Sequence, residues 1–116
     1  MKRTYLCLFV KDHEVGGFSV FTPDIPSCGT SGDDIVDARA MIRECMDLCL
    51  EGVLEDTGVV PEPKMATFAE ALEWFQELMN YELEGETEED RAFNQDDLHI
   101  EMVEVDVSRL TTPARG

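Results

Sequence analysis

Basic residues are scarce in this chain: nine lysines and arginines stand against 26 aspartates and glutamates, for a formal net charge of −17. That balance repels phosphate backbones, so the chain is not expected to bind nucleic acid directly. Long apolar runs are missing too. The stretch Tyr5 to Val10 is followed at once by Lys11-Asp12, well short of the roughly 18 residues that cross a bilayer. No small-residue cleavage site follows it, so neither a leader nor a membrane span is expected, and the chain reads as cytoplasmic. Histidine occurs twice, at His13 and His99. There is no HExxH, no CxxC and no Cys/His ligand quartet, and no GxSxG elbow. Gly16-Gly17 and Gly29-Thr30-Ser31-Gly32 lack the spacing of a phosphate-cradling loop. No catalytic residue, metal or cofactor is expected, and the chain reads as a non-enzyme.

What is present fits one globular domain: 116 residues, 43% hydrophobic and 30% charged. The four cysteines, Cys7, Cys28, Cys45 and Cys49, read as reduced in a cytoplasmic chain. Cys45 and Cys49 lie one helical turn apart at apolar positions and read as small core residues, with a metal or redox site as the minor alternative. The negative charge is uneven, residues 51–116 holding 18 of the 26 acids. Such a field draws basic partners and speeds their encounter; solubility alone is the plainer reading.

Thr4 to Lys11 reads as a strand apolar on both faces. That pattern marks either an interior strand covered on both sides or one with a face in an oligomer contact. Gly16-Gly17 supplies a turn, and Phe18 to Thr22 returns as the second strand of a hairpin. Pro23-Asp24-Ile25-Pro26 interrupts the ladder, and Ser27 to Ser31 forms a short third strand. Asp34 caps a helix, with Asp37 placed as in a capping box. Its expected buried stripe is Ile35, Ala38, Ile42, Cys45, Cys49 and Val53, with Arg39, Arg43, Asp47 and Glu51 on the other side and Gly58 as the stop. Thr67 to Glu70 is a second capping box. It opens a helix that presents Phe68, Leu72, Phe75 and Leu78 or Met79, with Trp74 to one side, closing the core edge or meeting a partner. Leu98 to Val107 alternates as a last strand. The order β-β-β-α-α-β predicts an α+β fold, one sheet with the helices on one face.

Between the second helix and the last strand, residues 81–97 carry eight acids and one base, Arg91. This segment reads as a solvated loop or as a docking surface for a basic partner through Glu88, Glu89 and Asp90. Asp24 is placed to bond a nearby backbone N–H or to contact a partner. Asp33, Asp34 and Asp37 cap the first helix or receive a partner's arginine. Two catalytic alternatives remain: Asp12, Asp24, Asp33 and Asp106 gathered around a metal, and Cys28 paired with His99.

The segment Gly17-Phe18-Ser19-Val20-Phe21-Thr22-Pro23-Asp24-Ile25-Pro26-Ser27-Cys28-Gly29-Thr30-Ser31-Gly32-Asp33 resembles the HicB-type antitoxins. The family pattern is a glycine, an aromatic strand, Pro-Asp-aliphatic-Pro-small-Cys, then Thr-x-Gly-Asp before a helix. Asp37-Ala38 falls where the family shows Glu-Ala. Pro61-Glu62-Pro63 and the closing strand Val103 to Ser108 are similar as well. The resemblance implies a partial RNase H-like fold without nuclease activity, over residues 1–110 with an acidic insertion at about 81–97. It implies an antitoxin that covers the active face of a small basic HicA-type mRNA-cleaving toxin, and a homo-oligomer. Many family members continue into a DNA-binding module; here residues 111–116 read as a short polar tail with no such domain. The competing reading is a solitary protein- or ligand-binding module without a toxin, and behind it an RNase H-like hydrolase.

Overall fold

The computed structural model describes residues 2–13, 16–82 and 97–107. The elements run β1 (Lys2–Lys11), β2 (Phe18–Phe21), β3 (Gly29–Gly32), α1 (Ile35–Thr57), α2 (Phe68–Glu82) and β4 (Leu98–Asp106). The four strands form one antiparallel sheet in the order β3-β2-β1-β4. The expected α+β class and element order are therefore observed.

The two helices lie on opposite faces of this sheet, not on one. Alternation along β1 explains it, because successive side chains point to opposite sides. Tyr5, Cys7 and Phe9 pack with Ala38, Ile42, Met46 and Leu50 of α1 and with Val103 and Val105 of β4. Leu6 and Leu8 pack with Ala71 and Phe75 of α2 and with Leu98. Residues Tyr5 through Phe9 are all at most 1% exposed. Both apolar faces of β1 are thus covered within the chain, and the first of the two sequence readings of this strand is the observed one.

Helix α1 begins and ends where its chemistry dictates. Asp34 adopts extended backbone and accepts from the Asp37 N–H at 2.8 Å. Gly58 takes φ 74°, a left-handed value that glycine adopts without cost, and donates to Leu54 O at 2.8 Å. The buried stripe is rotated from the expected one: Met46 and Leu50 fill its centre, while Cys45 and Cys49 flank it, half-buried. Gly32 lets the first turn of α1 approach the sheet, since a Cβ there would overlap the Ala38 backbone.

A helix on each face requires the α1–α2 connection to cross the end of the sheet. Three contacts hold it there. The buried Tyr5 hydroxyl donates to Pro61 O at 2.6 Å, Arg3 pairs with Glu62 at 3.4 Å, and Asp24 Oδ2 accepts from the Lys64 and Met65 N–H groups at 2.8 and 2.7 Å. Helix α2 then starts with reciprocal bonds: Glu70 N–H donates to Thr67 Oγ1 at 3.2 Å, and Thr67 N–H donates to Glu70 Oε1 at 3.1 Å.

Candidate partner-binding surface

The acidic residues singled out in the sequence fall into separate places. Asp33, Asp34 and Asp37 gather at the α1 N-terminus, all exposed. Their arrangement is a capping network: besides the Asp34–Asp37 bond, Asp37 Oδ2 accepts from Asp33 N–H at 2.9 Å. Asp33 and Asp37 stand on the rim of a depression of about 430 Å³, together with Asp12, Ser19, Ser31 and Met41. The helix dipole stabilises these carboxylates where they are. Charge-assisted bonds to a guanidinium or ammonium are what such a rim can offer.

Asp24 lies at the other end of β3, in the connection that precedes it. Its carboxylate is committed to backbone N–H groups 40 and 41 residues away, so it fastens the crossing segment and does not form a local Asx turn. Sequence reasoning found the residue and its backbone role but not its distant partner. Glu88, Glu89 and Asp90 lie outside the described residues. Trp74 packs on Phe21 with ring centroids 5.7 Å apart, closing the edge of the α2-side core. Together with Phe21, Ile25 and Leu78 it also lines a groove of about 460 Å³.

An ion-pair cluster on the α1 face escaped the sequence. Arg39 is exposed, as its place off the buried stripe predicts, and its Nε donates to Glu101 of β4 at 2.9 Å. His99 Nε2 sits 2.9 Å from the same carboxylate. The Arg39 guanidinium, with a smaller effect of His99, holds the Glu101 carboxyl down at about 2, against the opposing effect of burial. The two residues are 62 apart, and only the register that sets Glu101 beside Cys7 brings them together.

The catalytic alternatives are not assembled. Asp106 pairs with Lys2 at one end of β1, whereas Asp12 follows Lys11 at the other, a strand length of roughly 30 Å away at about 3.4 Å per residue. Cys28 adjoins β3 and His99 lies on β4, at opposite edges of the sheet, about three strand spacings or 14 Å apart. Among the described residues one group could hold a metal ion, the thiols of Cys28, Cys45 and Cys49. The fourth thiol, Cys7, is fully buried against Thr22 and Met46, and burial pushes it up to about 11. Among the described residues no helix is long and apolar enough to cross a membrane.

Comparison with known proteins gives this geometry a context. The fold is similar to a chain of a toxin–antitoxin complex from Streptococcus pneumoniae, with a TM-score of 0.68, 24% identity, and coverage of 100% of this chain and 77% of that one. It is also similar to the crystal structure of antitoxin HicB3, with a TM-score of 0.57, 17% identity, and coverage of 97% and 70%. At these identities the likeness is one of fold. An uncharacterized 14.9 kDa protein in the rep-hol intergenic region of Haemophilus phage HP1 (strain HP1c1) is 35% identical over 46 residues, which are 40% of this chain and 35% of that protein. The match therefore spans about a third of that relative's length. The HicB-like antitoxin family of bacterial toxin–antitoxin systems matches residues 5–82, from the core of β1 to the end of α2. With more than half of its length inside that match, the chain belongs to the HicB-like antitoxin family.

Proposed function

We propose that this protein is an antitoxin that neutralises a small basic mRNA interferase of the HicA type by covering its active face. The observation that carries the reading is the family match over residues 5–82. The chain's charge supports it independently. An RNA-cleaving enzyme must present cations to its polyanionic substrate, and a protein of net charge −17 competes for that same surface. Asp33, Asp34 and Asp37 are the proposed contacts among the described residues, with Glu88, Glu89 and Asp90 as further ones. Asp24 contributes by holding the crossing segment.

Self-association belongs to the proposal as well. Its support is the family and the nine-residue strand β4, which pairs with β1 on one side and exposes Met102 at 47%. The two-sided apolar β1 no longer counts for it, since α1 and α2 cover both faces.

The test is co-expression with a small basic HicA-type toxin, sought first among the reading frames adjacent to the gene for this chain. The toxin alone is expected to arrest growth, and co-expression is expected to restore growth and give a complex that survives purification. The triple variant Asp33→Asn, Asp34→Asn, Asp37→Asn is expected to weaken that complex; asparagine still caps helices, so the fold is retained. Failure of the wild-type chain to bind or rescue would refute the proposal.

A further inference from the structure

The three thiols of Cys28, Cys45 and Cys49 form a cluster that the antitoxin reading does not use. Cys28 Sγ lies 3.8 Å from Cys45 Sγ, Cys45 Sγ lies 3.9 Å from Cys49 Sγ, and all three sulfurs fall within 4.8 Å of one another. We propose that these three side chains form a thiolate site for zinc(II) or a similarly thiophilic d10 cation, with a water completing a tetrahedral shell.

The spacing is the first argument. Zinc–thiolate bonds of about 2.3 Å in tetrahedral geometry set their sulfurs about 3.8 Å apart. Two of the three separations already have that value, so a cation could enter with side-chain adjustments alone. The second argument is how the fold supplies the ligands. Cys45 and Cys49 are four residues apart, which puts both on one face of α1. Cys28 comes from the β2–β3 connection, two or more elements being the usual way to enclose a cation. Ser27, just before it, has φ 57°, a left-handed value that a non-glycine residue adopts only when its surroundings impose it. In that turn Ser27 O accepts from Cys49 Sγ at 3.7 Å, and Gly29 O accepts from Cys45 Sγ at 3.5 Å. These bonds are weak enough to be given up to a metal.

Cys28 is buried in the same core cluster as Cys7, but the helical pair that completes the trio is placed differently. Cys7 is a small buried hydrophobe, wedged into the centre of the α1 face. Cys45 and Cys49 sit instead at the margin of that face, half-buried, while Met46 and Leu50 fill its middle. A cation can reach them from solvent, and the acidic surface raises the cation concentration there. Thiolate ligands select zinc, copper(I) and their relatives over magnesium or calcium. The spacing motif expected of a metal site was absent because the third ligand lies 17 residues before the helical pair and is brought to it only by the packing of β3 on α1.

The experiment uses the reduced full chain, freed of metal by chelator. Zinc(II) is titrated in competition with a chromophoric chelator, and cadmium(II) is added separately as a spectroscopic probe. One equivalent is expected to bind, with an ultraviolet thiolate-to-cadmium charge-transfer band and a raised Tm, as any ligand of the native state produces. Carboxylates, abundant in this chain, give no such band. Cys45→Ser and Cys49→Ser are each expected to lose the band and to weaken uptake by more than the roughly 10- to 100-fold that loss of an outer partner costs a metal site. Cys7→Ala is expected to keep both. Absence of the cadmium band from the wild-type chain, or uptake unchanged in Cys45→Ser, would overturn the assignment.

Discussion

The two faces of the sheet are covered in different ways. On one, α1 spans 23 residues and buries Ala38, Ile42, Met46 and Leu50 at no more than 1% exposure. It is further tied to β4 by the Arg39–Glu101 pair. On the other, α2 buries Ala71 and Phe75, while Phe68, Leu72, Trp74 and Leu78 remain half-buried and Trp74 and Leu78 line a groove. The α1 face is a packed platform; the α2 face is a lid whose position depends on how its connection is fastened. The difference follows from side-chain volume and position. Aliphatic and thioether side chains of α1 pack on β1, whereas α2 sets the larger rings of Trp74 and Phe75 against Phe21.

Cutting into the platform should have the largest effect. Met46→Ala is expected to cost about 2–5 kcal/mol by leaving a cavity, measured by urea denaturation. Leu78→Ala, on the lid and already half-exposed, should cost clearly less; equal losses would erase the distinction between the faces. Next comes the fastening. Asp24→Ala leaves the Lys64 and Met65 N–H groups without their acceptor, a loss of about 1–3 kcal/mol. Hydrogen exchange should then speed up in α2 more than in α1, and a uniform change would contradict the view of α2 as a separately held lid. Asp34→Ala removes the α1 N-cap at a cost of about 1 kcal/mol, seen as faster exchange confined to the first turn of α1. The smallest effect concerns acid. The Glu101 carboxyl is held at about 2 in the folded chain, below its ordinary 4.5. Its contribution is therefore complete above that ordinary value and disappears as the pH falls toward 2. Glu101→Gln should flatten this part of the stability profile, and an unchanged acid limb would show that the pair contributes nothing.

The local chemistry of the chain was readable. Caps at Asp34, Gly58 and Thr67 are short-range patterns, and each stands where the residues put it. The double-sided apolar β1 left two readings open, a strand covered on both faces or one with a face in an oligomer contact, and the first is observed. The side taken by α2 was harder to see, because nothing local in Pro61-Glu62-Pro63 says that the chain crosses the end of the sheet. That path is set by Tyr5, Arg3 and Asp24, residues from elsewhere in the sequence. The same holds for the α1 stripe. Cysteine and methionine are both acceptable core residues, so periodicity alone could not choose between Cys45 and Met46, which differ by one helical step. The Arg39–Glu101 pair and the three-thiol cluster depend on strand register and on β3–α1 packing, and no short-range pattern encodes either.

An RNA-cleavage assay tests the central claim most directly. A small basic mRNA interferase of the proposed HicA type is incubated with RNA while this chain is titrated in, at low salt and again at high salt. Cleavage is expected to fall to nothing near a fixed stoichiometric ratio, with slower onset of inhibition at high salt as the steering charges are screened. Cleavage that continues undiminished beside an excess of this protein would contradict the account.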